Sequence, residues 1–405
     1  MKHYIFVLHS MSGIGGGQRY ALSKARWLEG AGWQVVICHV GNGDVLLDAS
    51  GIRLVDMPEL RAHPRCIGKK RSGELFASII PGWQNGDEVY VESAAPYLGL
   101  WGEAIAEHFH GRHLCFVLEE EPNPEDINFL RFKDSRHELA FISESIAASV
   151  LGLPKEAECS DKVLFAYQPS PIEEVCYEVP LWEGDYAIGF ISRLDKPYLI
   201  EAIDEIVDFC RDYPETTLQL VFIGDSPEGT HKSKILSACQ GIDNLRLAFV
   251  GALSPIPFCL ADSFDLFINK SGAAEATSQA GMPTICYSLE DDIPLGFVAW
   301  RMSDDGPRLE NDMFGENSLS GLLRHALIDG GLETVEEMTE PCVDADKSDY
   351  EEHFLFVPGE NSQSYYNFRK ASVGWKRVLS SCWVKLFHSA DYDRILVTLR
   401  GKRGK

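Results

Sequence analysis

The stretch Asp265-Leu-Phe-Ile-Asn-Lys270-Ser-Gly-Ala-Ala-Glu275-Ala-Thr-Ser-Gln-Ala-Gly281-Met-Pro-Thr-Ile-Cys-Tyr287 decides the fold of this chain. It reads as a buried strand, a Ser-Gly turn, a short helix, a Gly-x-Pro break and a second buried strand. Ser271 and Gly272 stand where a helix begins, and the free N–H groups of a helix start attract anions. The Glu275 carboxylate follows within the first turn. N–H groups for phosphate oxygens and a carboxylate for ribose hydroxyls suit a nucleoside diphosphate.

Outward from that stretch, the same β-α-β rhythm fills both halves of the chain. Strands are expected at 4–9, 33–40, 88–92, 113–118, 139–142 and 163–167, with helices at 18–30 and 144–151. Pro169, Pro171 and Pro180 interrupt the pattern and mark a linker. The rhythm restarts with strands at 187–192, 218–223, 245–250, 265–269 and 284–287 and helices at 198–210 and 232–240. In the first of these helices Leu199, Ile203, Ile206, Val207 and Cys210 share one face. Short apolar strands alternating with helices imply a mostly parallel sheet covered on both faces in each half. Residues 333–352 are acidic and unpatterned and read as a surface loop, and residues 365–400 read as helical.

With 405 residues the chain exceeds one hydrophobic core, so two domains are expected. A 45% hydrophobic and 24% charged composition is that of an ordinary globular protein. No apolar run approaches the roughly 18 residues that span a bilayer. The first apolar segment, Tyr4 to Leu8, is too short for a signal-peptide core and reads as a strand, so a cytoplasmic location is expected. The 11 cysteines include no Cys-x-x-Cys pair, which argues against a disulfide framework or a structural zinc site.

A net charge of -24 repels nucleic acid phosphates and excludes duplex binding. From Tyr365 onward the balance reverses, with ten Lys/Arg against Asp391 and Asp393. This segment reads either as a solvated helix with a frayed end or as a peripheral contact with an anionic membrane face.

Several motifs allow chemistry beside a plain structural role. The loop Ser12 to Arg19 is rich in glycine, which lets a backbone approach a ligand closely. It lacks the third glycine of a dinucleotide fingerprint, since Gln18 stands there, and it is no P-loop. It reads either as a flexible turn or as a loop touching phosphate or sugar. Arg193 and Lys196 follow the strand at 187–192; they form either an exposed surface pair or a bidentate and a point cation for phosphate. Gly224-Asp225 and Gly251-Ala-Leu253 end two further strands, as ordinary turns or as holders of a base. Glu119 ends the strand at 113–118 and faces either solvent or sugar hydroxyls. His108, His110 and His113 are close in sequence, but a helix end, a glycine turn and a strand make their rings diverge, so no metal site is expected. Asp344-Ala-Asp346 and Asp391-Tyr-Asp393 match a metal-binding spacing by chance, as neither follows a buried strand.

Taken in order, Gly15-Gly-Gly-Gln-Arg19, Phe141-Ile-Ser-Glu-Ser145, Arg193 with Lys196, Phe222-Ile-Gly-Asp225 and the Glu275–Pro283 segment resemble a GT-B glycosyltransferase, most closely the retaining family 4 type. The resemblance implies an α/β protein of two Rossmann-like parallel-sheet domains facing across a cleft, with a C-terminal helix crossing back. Its boundaries are 1–172 for an acceptor domain, 184–364 for a nucleotide-sugar domain, and 365–405 for a helical segment with a basic tail. Arg193, Lys196 and Glu275 then carry catalysis. Gly16, Gly17, Gly224, Asp225, Gly251, Leu253, Ser271 and Gly272 border the donor, and Gln18, Glu119 and Ser143 lie on the acceptor side. Neither metal nor cofactor is implied, because the nucleotide-sugar is a substrate. The acceptor is a glycan or lipid-linked molecule, as in surface polysaccharide synthesis. A nucleotide-sugar epimerase and a non-catalytic binding subunit share the architecture.

Overall fold

The computed structural model describes residues 1–12, 15–41, 44–45, 47–118, 127–154, 157–164, 184–225, 230–253, 263–288, 292–303, 306–312, 318–338, 350–356, 364–370 and 378–383. The chain forms two compact units, Met1–Gln168 with Asp349–Lys405, and Pro169–Ser348.

In the first unit β1 (Lys2–Val7), β2 (Gln34–His39), β3 (Arg53–Asp56), β4 (Glu88–Ser93), β5 (Arg112–Val117) and β6 (Leu139–Phe141) make one parallel sheet, ordered β3-β2-β1-β4-β5-β6. Helices α1 (Gly16–Gly30), α2 (Lys69–Ile79), α3 (Pro96–Phe109), α4 (Ile127–Asp134) and α5 (Glu144–Leu151) connect the strands. β1 shows why its sequence is apolar throughout. Ile5 and Val7 enter the core on one face, while Tyr4 and Phe6 enter the core on the other.

In the second unit β7 (Tyr186–Ile191), β8 (Leu218–Ile223), β9 (Leu245–Gly251), β10 (Leu266–Lys270) and β11 (Thr284–Tyr287) are parallel. The antiparallel ribbon of β12 (Pro294–Ser303) and β13 (Gly306–Asp312) extends this sheet, giving the order β13-β12-β11-β10-β7-β8-β9. Helices α6 (Tyr198–Asp212), α7 (Thr230–Ala238), α8 (Gly272–Gln279), α9 (Leu319–Leu323) and α10 (Leu332–Met338) complete the unit. α6 buries the apolar face read from its sequence. Phe190, Phe222 and Phe249 stack on neighbouring strands with ring centroids 4.9 Å apart.

The structure departs from the sequence reading at several places. The expected loop at 333–352 contains α10, where Val335 is buried, and the start of α11 (Glu351–Phe356), which buries His353. Glu333, Glu351 and Glu352 are exposed on these short helices. Val163 makes only an isolated bridge to Phe141 rather than starting a strand, and 165–167 lie outside the described residues. Within 365–400, residues 368–370 form a 3-10 turn and 378–383 are helical. The chain rejoins the first unit at residue 349, whereas the sequence reading placed that point at 365.

Two buried ionic centres anchor that return. Lys24 of α1 donates to Glu92 Oε2 of β4 at 2.6 Å and to Tyr20 Oη at 3.1 Å, and its Nζ lies 2.9 Å from His353 Nδ1. Tyr4 donates to the same Glu92 oxygen at 2.5 Å. In the second centre Lys133 donates to Glu103 at 3.0 Å, to Glu138 at 2.6 Å and to the His113 carbonyl at 2.8 Å. His113 lies between Glu103, 2.8 Å from Nδ1, and Ser93, 2.9 Å from Nε2. The Tyr366 N–H reaches the other Glu103 oxygen at 2.7 Å. Burial lowers the His113 pKa, and Lys133 lowers it further, to about 4 despite Glu103. Burial alone would raise Glu103, but Lys133 and His113 bring it down to about 2.

Two outcomes follow from these centres. Lys24→Met leaves the Glu92 carboxylate buried without its cation and should destabilise the protein by about 3–5 kcal/mol. The double variant Lys24→Met/Glu92→Gln should recover much of that loss in urea unfolding, and additive losses would contradict this account. His113 is neutral in the fold, but in the unfolded chain it takes a proton below its ordinary pKa of 6.5. The native state should therefore lose roughly 3 kcal/mol as pH falls from 6.5 to 4, on top of other acid effects. Denaturation curves of His113→Gln should show a flatter pH dependence across that window.

Candidate functional site

In an open parallel sheet, ligands seat at the carboxyl ends of the strands where the strand order reverses. In the second unit that point lies between β7 and β10. The β7–β10 ladder stops at Phe267↔Gly189, although β7 pairs β8 up to Ile191 and β10 pairs β11 up to Lys270. Asn269 bridges the gap where the ladder ends. Its Oδ1 accepts the Ile191 N–H at 2.8 Å, and its Nδ2 donates to Thr277 Oγ1 at 3.2 Å. Thr284 Oγ1 in turn donates to Thr277 Oγ1 at 2.9 Å, so buried polar groups fasten α8 to β10 and β11.

Around this gap the strand ends carry the residues singled out from the sequence. After β7 the chain turns through Ser192 to Lys196, with Leu194 buried as its anchor. The Leu194 N–H reaches the Asp225 carbonyl at 3.4 Å. Arg193 is 63% exposed, and its Nε lies 3.3 Å from Asp195 Oδ1, a contact that solvent screens. Lys196 is half-buried. After β8, the Gly224 N–H donates to the Gly251 carbonyl at 2.8 Å. A Cβ at Gly224 would overlap the Ser192 carbonyl oxygen, so glycine allows the ends of β7 and β8 to approach this closely. Asp225 is exposed, and Leu253 packs against the cluster containing Val221 and Phe267.

β10 ends at Lys270. Ser271 then takes φ 55 and ψ -141, a conformation that costs a non-glycine residue strain. Its carbonyl accepts the N–H groups of Ala274 and Glu275. Gly272 opens α8 on the surface. Glu275 is partly buried, and burial raises its pKa. One end of one sheet therefore gathers Arg193, Lys196, Ser271, Gly272 and Glu275, with Gly224, Asp225, Gly251 and Leu253 on the strands alongside.

In the first unit the order reverses between β1 and β4. The loop after β1 leads to Gly16 and Gly17 at the start of α1, and no atom would obstruct a side chain at Gly17. Gln18 donates from Nε2 to the Ser10 carbonyl at 3.1 Å, so its amide shapes the loop. Ser143 caps α5, with its Oγ accepting the Ile146 N–H at 3.3 Å. Glu119, Asp344, Asp346, Asp391 and Asp393 lie outside the described residues, as does most of the basic C-terminal segment.

The three clustered histidines diverge as their sequence context implies. His108 packs on Phe76, His110 is left-handed at the end of α3, and His113 lies in the core. Among the described residues no group of three or more His, Cys, Asp or Glu is arranged to hold a metal, and no helix is long and apolar enough to cross a membrane. Ser93, His113 and Glu103 stand in the order of a nucleophile, base and acid, but all three are buried and Lys133 is paired with the Glu103 carboxylate. Sequence reasoning passed over Asn269 and Lys270. The available signal was a polar pair closing an otherwise apolar strand immediately before Ser-Gly.

No family model matches the sequence, and no curated protein matches it. Among solved structures, TarM aligns with a TM-score of 0.51 at 10% identity, over 88% of this chain and 99% of that one. The apo form of the lipopolysaccharide outer core galactosyltransferase WaaB aligns with a TM-score of 0.50 at 13% identity, over 88% and 99%. The S. aureus MnaA–UDP structure gives 0.49 at 13% identity, over 89% and 99%. The first two likenesses establish the fold: GT-B, built from two Rossmann-like domains.

Asn269→Leu keeps the side-chain volume but leaves the Ile191 N–H without its acceptor. It should cost about 1–3 kcal/mol. The check is a lowered melting temperature together with faster hydrogen exchange at Ile191; an unchanged exchange rate would remove the bridging role.

Proposed function

We propose that this protein transfers a sugar from a nucleotide-sugar donor to a glycan or lipid-linked acceptor. The observation that carries the reading is the convergence of Arg193, Lys196, the Ser271–Gly272 turn and Glu275 at the strand-order reversal of the second unit. A nucleoside diphosphate leaves as the glycosidic bond breaks, and negative charge grows on its phosphate oxygens. Arg193 and Lys196 are placed to stabilise that charge without reorganisation, and the N–H groups at the start of α8 add to it. Glu275 serves the ribose hydroxyls, while Gly224, Asp225, Gly251 and Leu253 border the base.

No metal is needed in this scheme, because the cations meet the phosphates. Retention of configuration follows if the departing phosphate takes the acceptor proton on the same face of the sugar. NMR of the product anomer reads that outcome directly. The acceptor side belongs to the first unit, with Gln18, Ser143 and Glu119 as members of the proposal, while Gly16 and Gly17 are assigned to the donor. The basic segment after Tyr365 suits an anionic membrane face, where lipid-linked acceptors reside. Vesicles containing phosphatidylserine should retain the protein at low salt and release it at high salt.

With a panel of UDP-, GDP- and dTDP-sugars and an acceptor extract, one donor should release nucleoside diphosphate in an acceptor-dependent manner. Arg193→Ala should then slow turnover by about a hundred- to a thousandfold, equivalent to roughly 3–4 kcal/mol of transition-state stabilisation. Unchanged turnover would displace the site, and release without acceptor would favour an epimerase-type elimination instead.

A further inference from the structure

We infer that Lys270 is a third cation of the diphosphate site, and that Asp292 is the counter-ion it exchanges for the phosphate when a donor binds. This assignment presupposes the donor site proposed above and adds a residue to it. Lys270 is the last residue of β10, at the strand-order reversal and directly before Ser271. The adjacent strand, β7, runs out into the turn that carries Arg193 and Lys196.

The environment of Lys270 differs from that of the other buried lysines. Lys24 and Lys133 each contact three groups of the fold and lie wholly in the core. Lys270 retains 9% of its side-chain exposure and pairs at 2.6 Å with Asp292, which is 24% exposed. A lysine so nearly buried needs an anion close by, and its ammonium offers three donors in a compact point charge.

The partner is placed so that it can yield. Asp292 lies in the short segment before β12 rather than on a strand, with φ 53, a left-handed conformation uncommon for a non-glycine residue. Ile293 beside it is exposed, and its carbonyl receives the Ser288 N–H at 2.8 Å, which pins the base of the segment. An anion entering the crevice can therefore take over Lys270 while Asp292 turns to water. The alternative is a pair that merely ties this segment to β10.

Calorimetric titration of the full chain with UDP, with GDP and with dTDP separates the two. Lys270→Met should weaken binding of the nucleotide that the parent prefers by tenfold or more, and Lys270→Arg should restore it to within a few fold. Asp292→Asn should tighten binding severalfold, because the phosphate no longer competes with a carboxylate. A purely structural pair predicts that both neutralising variants lower the melting temperature while affinity stays the same or weakens in both.

Unaltered affinity in Lys270→Met overturns the assignment while leaving the donor site standing. A parent that binds none of the three nucleotides overturns both. Should Lys270→Met fail to fold, Asp292→Asn decides alone: tighter binding supports the exchange, and equal or weaker binding overturns it.

Discussion

The second unit depends on a single side-chain amide. At a strand-order reversal the connections leave on opposite sides of the sheet and open a crevice, and here the two neighbouring strands also stop pairing before they end. Each N–H left behind must then find another acceptor, because an orphaned buried donor is costly. Asn269 resolves this by carrying the Ile191 N–H on its own Oδ1 while its Nδ2 holds Thr277. Below it, Thr277 and Thr284 continue the chain of polar contacts to the Met282 carbonyl. This fastening ties α8, which opens directly after the strained Ser271, to β10 and β11. Helix propensity contributes little, since α8 is short and includes Thr and Ser.

The first unit uses buried charge rather than a buried amide. Two lysines in its core are each held by buried carboxylate and other polar groups, and both centres also take a group from the returning chain: His353 in one and the Tyr366 N–H in the other. Lys24 is only a donor, so His353 Nδ1 accepts and its proton resides on Nε2. Around it Phe354 packs against Tyr4, Trp33 and Tyr90. A one-residue shift of this helical segment would turn Phe354 away from those rings. It would also leave the Lys24 centre without its histidine, so the polar contacts and the rings specify the same register.

What could be read from the sequence follows from how each element signals itself. α6 shows a clean apolar face, and β8 and β11 are apolar runs bounded by turn residues; the structure keeps α6 and extends it by two residues, and it keeps both strands within their expected limits. Only the end of α3, at His108, is legible in the sequence, because the helix is buried almost all round and so has no amphipathic stripe, and because Gly99 and Gly102 look like breakers. Those glycines are there for packing: a Cβ would run into Phe129 at the first and His113 at the second. β12 and β13 follow no βαβ rhythm, because they form an antiparallel edge. In the candidate site the glycines, cations and Glu275 stood out through residue type and spacing. Asn269 did not, because its importance depends on a gap between strands that lie far apart in sequence.

The electrostatics of the crevice favour a particular division of labour. A carboxylate close to Arg193 or Lys196 would neutralise them and would itself be held ionised. Glu275 behaves otherwise: burial raises its pKa, and no cation offsets that rise. Among the described residues Arg193 pairs with the screened Asp195. A carboxyl shifted toward its neutral form also repels a nearby diphosphate less than a fully ionised one would. Such a group suits neutral hydroxyls, to which it can offer both an acceptor and, when protonated, a donor. In the donor site proposed above, charge recognition and hydroxyl recognition fall to separate side chains at the same strand ends, which matches a ligand that joins a diphosphate to a ribose.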